Sequence, residues 1–563
     1  MLHLLHTPKF PSPLIVMRAL DIPEILSQVL DLVGDGDKVA SALVCRTWNS
    51  VALDAIWRDV NDLVQLLRLI GDVKAVNGFN TIIHCGTDLE LEFSQSLEGT
   101  DWFDSYAARV ISLDWDSQGL SFSPTVFERI HAARPGSSPL LPNLLTIKCQ
   151  AYYDVDADHV LHFLSRSVTS LHIQYKTLCT APRVAASMSS LATFAPEVSK
   201  LTVECLFRVD MVDEALSSWI ESLKKLREVT LPRYFGSQPI VKALGSTGGL
   251  ESVSGHAKLS RTTEHASVIL GTHWSLPSSA FERLQFIDFD ATLAQAVEIF
   301  SGSPLPELRG LWLNAVGPVT NPILQPCILA LVAWCKDLED LSLNLLPPMG
   351  TTDRERIRFQ ILDPLLRLRK LQKLQIIHDH SIYLVEENVE AMSLAWPRLI
   401  QLSFRGGNPR EAPQTSFSIL KSFAIKFSNI QRLAITLHID GDVSVVDSVP
   451  PTFTSLQELH LDTSRIHGQQ SVAVATLLSL ICPLGVKILF GIADWQQMAL
   501  RRTGWDVIAI GAMGRQWESI ANGVGSYYSI HGRDGNPMVA AMYFQQWFAN
   551  QPNSMYSQYP RLS

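Results

Sequence analysis

The chain has 563 residues, of which 47% are hydrophobic and 18% charged, and it carries a formal net charge of −9. That length exceeds one ordinary globular core, so several domains or a repeat array are expected, and the apolar content excludes a disordered chain. A net charge this modest, without a basic stripe, argues against general nucleic-acid binding, which rests on displacing counterions from phosphate.

The eight cysteines form no C-x-x-C pair. Cys45, Cys149 and Cys205 sit inside apolar patterns, where a thiol acts as a small hydrophobe, so a reducing compartment, cytosol or nucleus, is expected. No membrane span is expected either. Residues 472–486 are uncharged but fall short of the roughly 20 apolar residues a bilayer demands, and Pro483 interrupts them; the uncharged stretch 310–335 is broken by Pro318, Pro322 and Pro326.

In chain order, residues 1–16 read as a disordered extension. Two prolines interrupt their only apolar patch, which makes a poor signal peptide, and Met17 offers an alternative start. Pro23 then suits the first turn of a helix, where a missing N–H costs nothing. Ile22, Ile25, Leu26, Val29, Leu30 and Val33 follow at helical spacing and give one wide apolar face. Gly34-Asp35-Gly36-Asp37 should break that helix, with Asp37 capping the next, Lys38 to Trp48; a third runs through Ala52, Ile56 and Trp57. Burying one apolar side chain is worth about 1.5–3 kcal/mol, so three helices this short make a marginal core with apolar surface left over for a partner.

The segment Ile22–Val60 resembles an F-box. The likeness lies in the opening Ile22-Pro23-Glu24-Ile25-Leu26, the centre Leu43-Val44-Cys45-Arg46-x-Trp48 and the close Ile56-Trp57-Arg58-Asp59; the wording from Ala52 to Val60 is similar to F-box proteins of mushroom-forming (basidiomycete) fungi. The family's usual residue between the proline and the glutamate is absent here. The resemblance implies that residues 17–61 dock a Skp-type adaptor of a cullin–RING ubiquitin ligase. The adaptor would be met by Ile22, Pro23, Ile25, Leu26, Val29, Leu30, Leu43, Val44, Cys45, Trp48 and Trp57.

Residues 62–105 read as a linker or N-terminal cap. From 106 to 490 one pattern returns: an apolar residue, two others, an apolar residue, one other, an apolar residue. It begins at Val110, Leu144, Val168, Val198, Leu226 and Leu284, with a fainter copy at Leu250. It returns at Leu308, Leu338, Leu371, Leu399, Ile430 and Leu456. A period of about 29 falls in the leucine-rich-repeat range. The last two apolar residues of each copy alternate and so share one face of a short strand, and helical stretches such as 291–300, 323–334 and 472–480 lie between strands. The expected fold is therefore α/β: a short three-helix motif followed by an irregular leucine-rich-repeat solenoid, a curved parallel sheet with outer helices. The asparagine or cysteine that usually ends each turn is replaced by residues such as Tyr152, Lys176, Thr292, Val316 and Leu346, which resembles the irregular repeats of fungal F-box proteins.

Residues flanking the inward pair should project from the concave side of such an array. They include His172, Glu204, Asp288, Asp290, Trp312, Asn314, Asn344, Arg405, His460 and Asp462, with Asp114 and Gln174. Trp312 would be an anchor for a protein target, and the surplus of carboxylates leans toward a basic one. Catalytic chemistry is not expected. Asp154-x-Asp156-x-Asp158 starts like a calcium loop but lacks the glycine and glutamate that should follow, and reads as a solvated acidic loop. His378/His380 and His159/His162 offer no third ligand, and Gly523-x-Gly525 lacks the frame of a nucleotide site. No cofactor or metal is implied. Residues 491–563 lose the repeat and read as a cap or tail.

Together these readings imply a non-catalytic substrate receptor of an SCF-type ligase, in contact with the adaptor and a protein target but with neither nucleic acid nor membrane. The alternative is a repeat scaffold that acts without a ligase.

Overall fold

The computed structural model describes residues 22–76, 87–93, 100–116, 120–122, 125–133, 139–205, 211–232, 237–256, 280–302, 305–346, 355–406, 414–439, 451–462, 464, 470–490, 520–524, 526–527 and 537–549. The expected extension 1–16, Met17 and the tryptophans at 495, 505 and 517 lie outside them. The chain divides into two compact units, Met1–Pro232 and Arg233–Ser563.

The first unit opens with three helices, α1 (Pro23–Leu30), α2 (Asp35–Ala42) and α3 (Arg46–Trp57). Strand β1 (Asp59–Val60) follows. A parallel ladder then runs from β1 to β4 (Ser112–Asp116), β6 (Thr146–Tyr153), β7 (Ser170–Leu178), β8 (Lys200–Glu204) and β9 (Glu228–Pro232). A separate three-stranded sheet sets β2 (Gly71–Val76) antiparallel to β3 (Thr87–Phe93), and β3 parallel to β5 (Leu120–Phe122). The segment expected to be a linker or cap therefore contributes strands of its own.

The second unit is one longer ladder. It runs in order through β10 (Ser252–His256), β11 (Phe286–Ala291), β12 (Gly310–Ala315), β13 (Asp340–Asn344) and β14 (Lys373–His378). It continues through β15 (Gln401–Gly406), β16 (Arg432–Ile435), β17 (Glu458–His460) and β18 (Lys487–Leu489), every neighbour parallel. Strand, helix and parallel strand at this period make a leucine-rich-repeat fold, as the sequence pattern implies.

Register explains the pattern. In the second unit Ile287, Leu311, Leu341, Leu374, Leu402, Leu433 and Leu459 stand side by side in successive strands, all buried. In the first, Leu113, Ile147, Leu171, Leu201 and Val229 do the same. A row of this kind has no core inside one repeat; each side chain is covered by the copies on either side.

The entry into each strand is held by backbone. In each repeat the two residues between the first and second apolar positions turn both N–H groups onto one carbonyl of the preceding repeat. Glu339 and Asp340 donate to the Arg309 carbonyl, Gln372 and Lys373 to Glu339, Ile400 and Gln401 to Gln372, and Gln431 and Arg432 to Ile400, at 2.7–3.1 Å. The first unit repeats it: Leu145 and Thr146 donate to Ile111, Thr169 and Ser170 to Leu145, and Ser199 and Lys200 to Thr169. No side chain is specified, so the variable residues at these places cost nothing.

Helices open where prolines can sit in a first turn, as in Ala181–Phe194, Gln238–Ser246 and Asn321–Trp334. Gly406, at φ +135°, ends β15 where a Cβ would fall 1.6 Å from the His378 carbonyl oxygen, so only glycine fits. At the far end, helix Pro537–Ala549 packs on helix Ser471–Ile481, and Tyr527 meets Phe544 at 5.5 Å between ring centroids.

The acidic triplet is neither a loop nor solvated throughout. Asp154–His159 is a helix in which buried Asp156 accepts from the Tyr152 and Tyr153 N–H groups at 3.0 and 3.1 Å, while Asp154 accepts from Thr180. Carboxylates at a helix start are favoured by its unpaired N–H groups. That helix carries His159 into an aromatic nest, 4.9 Å from Phe127 and 6.1 Å from Trp115. Burial lowers His159 from 6.5 to about 3 and, with the His131 charge, lowers His162 to about 4. Burial, helped by His380, lowers His378 to about 4.

A base held neutral in the fold takes up its proton on unfolding. Stability is therefore full above pH 6.5 and falls as pH drops toward 3–4, by up to about 1.4 kcal/mol per pH unit for each fully buried group. The melting midpoint measured from pH 8 to pH 4 should fall below pH 6.5, and His159→Phe, which suits the aromatic surroundings, should flatten the slope.

Candidate functional site

The three N-terminal helices bury very little. Both α1 and α2 pack on α3, and the shared core consists of Leu26, Leu30 and Ala52, flanked by Val33, Ala42, Trp48, Val51 and Ala55. Pro23 starts α1 with no side-chain cap. The helix α2 begins at Asp35, with Gly34 as its cap and both Asp35 and Asp37 in its first turn. Asp37 was expected at the cap; the start lies three residues earlier because Gly34 takes the extended conformation, and both aspartates still face the positive helix end. No residue of α2 is buried.

What remains outside is apolar. Ile22, Ile25, Val29 and Leu32 recur at spacings of three and four, one stripe of α1, and all are exposed, Leu32 by 88%. Val39, Leu43 and Val44 are exposed on and just after α2, Leu43 by 82%. Cys45, the N-cap of α3, is exposed as well. A folded chain rarely leaves so many large apolar side chains together in so short a stretch unless a partner covers them.

Ten of the eleven expected docking residues separate into three groups. Ile22, Pro23, Ile25, Val29, Leu43, Val44 and Cys45 are exposed; Leu26 and Leu30 turn inward, Leu26 with no exposed surface; Trp48 is half-buried against the same core. The inward pair is a correction to the expected face. It arises because the apolar arc of α1 is wider than its contact with α3, so the arc is shared between core and surface. Leu32 and Val39 were missed, though Leu32 continues the α1 spacing and Val39 lies four residues before Leu43. Trp57 belongs to a joint: its ring lies 5.1 Å from Tyr106, Arg58 pairs with Asp31 at 3.1 Å, and Arg109 binds Asp54 and the Ser50 carbonyl.

The sheet faces opposite the helices were expected to offer free polar groups, and most are matched internally. In the first unit Lys148 donates to Asp114 at 2.6 Å, and Glu204 is held by His172 at 3.0 Å and Gln174 at 2.8 Å. In the second, Asn314 donates to Asp290 at 2.6 Å and Arg405 to Asp462 at 3.2 Å. Glu204, Asp288, Asp290, Asn314 and Asp462 are buried, while His172, Asn344, Arg405 and His460 are half-buried. Burial raises the Asp462 carboxyl even beside Arg405, and lowers His460. The carboxylates read as a lean toward a basic partner are largely consumed by neighbouring repeats, a pairing that one repeat's sequence does not display. Trp312 stays exposed, its ring edge-on to Phe286 at 5.5 Å and its Nε1 donating to Asp340 at 3.1 Å. It is fixed before any partner arrives.

Among the described residues no group of three or more His, Cys, Asp or Glu is placed to hold a metal ion, and no helix is long and apolar enough to cross a membrane. No family model and no curated protein matches the chain. Solved structures similar to it include a chain of the Rad7 and Elc1 complex in yeast. That match has a TM-score of 0.30 and 14% identity, and covers 65% of this chain and 80% of that one. A second is a chain of the TLR13–ssRNA13 complex, with a TM-score of 0.29 and 13% identity, covering 68% of this chain and 58% of that one.

The buried and the exposed apolar side chains of the motif should respond differently to substitution. Leu26→Ala should cost about 2–5 kcal/mol through the cavity it leaves. Leu43→Asp should stay within about 0.5 kcal/mol, since its side chain already meets water. Hydrogen exchange of the α1–α3 amides separates them, with protection lost in the first variant only.

Proposed function

We propose that the chain is the substrate-receptor subunit of an SCF-type cullin–RING ubiquitin ligase, with an F-box at residues 17–61 and a target-binding repeat array behind it. The observation that carries this reading is a folded three-helix motif with its own core closed and an apolar stripe left uncovered. Ile22, Ile25, Val29, Leu32 and Leu43 present the spacing by which a helical partner is gripped. The likeness of their sequence to the F-box names the partner as a Skp-type adaptor.

In this reading the chain supplies no catalytic group. Ubiquitin transfer is accelerated by holding the target close to the ligase, a gain in effective concentration. The joint around Trp57, Tyr106, Arg58 and Arg109 supports it, because a stiff connection between docking motif and repeats keeps that concentration high. Trp312, with Asn344 on the neighbouring strand, is the proposed beginning of target recognition. Work in the cytosol or nucleus goes with the same reading.

The test is co-purification of the full chain with a Skp-type adaptor. Wild type should retain it stoichiometrically, and Val29→Asp combined with Leu43→Asp should weaken binding at least about a hundredfold, about 2.8 kcal/mol, with melting unchanged. An adaptor that ignores the wild-type chain, or binds the double variant as tightly, removes the ligase reading and leaves a repeat scaffold.

A further inference from the structure

The sheet face of the second unit holds a place where polar atoms are buried without being paired. Arg405 lies on β15, His460 on β17 and Asp462 just after it, with strand β16 between. Neighbouring strands are about 4.8 Å apart, so the Arg405 side chain crosses roughly 10 Å, over β16. There its Nη2 donates to Asp462 Oδ1 at 3.2 Å. The floor beneath is made of small side chains. Ser403 and Ala434 stand in one row with His460, and buried Thr436 donates from Oγ1 to the Gly406 carbonyl at 2.7 Å.

The Arg405–Asp462 pair uses one amino group and one oxygen. Arg405 Nε, Asp462 Oδ2 and His460 Nδ1 are enclosed and have no hydrogen-bond partner among the described residues. The Asp462 side chain is 3% exposed and that of Arg405 14%. The groups facing the Asp462 carboxyl are Arg405, His460 and the Gly406 backbone. Asp462 takes φ +34°, a left-handed conformation that aspartate tolerates better than most side chains. Native folds leave few buried polar atoms unpaired, and three in one cluster mark a subsite that a group from outside the chain completes.

The chemistry of the three atoms selects that group. An arginine Nε only donates, a carboxylate oxygen only accepts, and a neutral imidazole nitrogen does one or the other. The charges of Arg405 and Asp462 cancel, so an incoming carboxylate is repelled by Asp462 and an incoming ammonium by Arg405. A methyl group would leave all three atoms unpaired. A trans peptide group sets its N–H and C=O on opposite sides. A primary carboxamide sets them side by side and offers a second N–H.

We infer that Arg405, His460 and Asp462 form a subsite for the side-chain carboxamide of a glutamine or asparagine on a protein target. Its carbonyl accepts from Arg405 Nε and its amino group donates to Asp462 Oδ2, with His460 Nδ1 accepting the second N–H. The inference rests on the reading of the repeat array as a target-binding surface and not on the F-box, so a failure of adaptor binding leaves it standing.

The probes are glutamine, glutamate, lysine and leucine, each blocked as its N-acetyl methylamide and titrated into the full chain at about pH 8, where imidazoles are neutral. The readout is the Cε1–H resonance of His460 in a histidine-labelled chain, assigned by its loss in His460→Gln. The glutamine probe should shift it saturably, with Kd on the order of millimolar for a group this small. The other three should bind at least about tenfold more weakly. Asp462→Asn keeps the shape and suits the same backbone conformation but removes the negative charge, so glutamate should move ahead of glutamine by about threefold or more. Arg405→Lys keeps the charge, lacks the Nε–H and should weaken the glutamine probe at least about fivefold. The wild-type series decides the question even if a variant melts early. The inference is overturned if glutamate, lysine or leucine shifts His460 as strongly as glutamine, or if folded Asp462→Asn keeps the wild-type order. If no probe moves His460, the three atoms hold buried water only and the inference falls. If unblocked L-glutamine binds at least about tenfold tighter than the blocked residue, the site serves a small molecule and the assignment to a protein target falls.

Discussion

The interaction on which each ladder depends is a shared carbonyl. One backbone oxygen in each repeat accepts two N–H groups from the next, so every turn into a strand is pinned to its predecessor before any side chain is consulted. Buried N–H groups must find acceptors, and here the acceptor is supplied by the repeat behind. The arrangement is one-dimensional: a repeat is finished by its neighbour and finishes the next. The backbone clamp asks only for correct register, and register comes from the apolar rows beneath it.

The same economy separates the N-terminal motif from the array. A leucine in a strand such as Leu341 is covered from both sides by Leu311 and Leu374. A leucine in the motif has no such neighbours, and only Leu26, Leu30 and Ala52 are fully enclosed. With so few buried groups at roughly 1.5–3 kcal/mol each, the motif gains little from its own core against the entropy of ordering some 40 residues. Its attachment to the first repeat supplies the remainder. Strand β1 pairs with β4, and the Arg58 carbonyl accepts from both Ile111 and Ser112, the same two-donor clamp that joins later repeats.

The repeats were legible because their signal is local and periodic: the apolar pair that marks each strand is the pair that faces the helices. Residues whose partners lie about 30 positions away were not. Asp290 needs Asn314 and Glu204 needs His172, and a reader of single repeats sees free carboxylates where the fold has hydrogen-bonded ones. The motif on α1 was read correctly as an apolar helix, but its arc did not reveal which part turns inward, because that depends on where α3 lies. Asp156 shows the limit from the other side. Its triplet spacing suggested a loop, whereas the residues around it form a helix whose first turn it caps.

The joint between motif and array fixes the orientation of one to the other. Trp57 lies tilted against Tyr106, Arg109 grips α3 at Asp54 and Ser50, and Arg58 ties back to Asp31 after α1. An exposed ion pair alone is worth little, but here each is anchored beside an aromatic contact and a strand ladder, where the groups are already ordered. Motion of α3 relative to the first repeat would break several of these contacts at once. The motif therefore behaves as the opening stave of the ladder rather than as a bead on a tether. Val29 and Leu43 therefore hold a fixed orientation toward His172 and Glu204, because the shared-carbonyl clamp continues without interruption from Arg58 to Ser199.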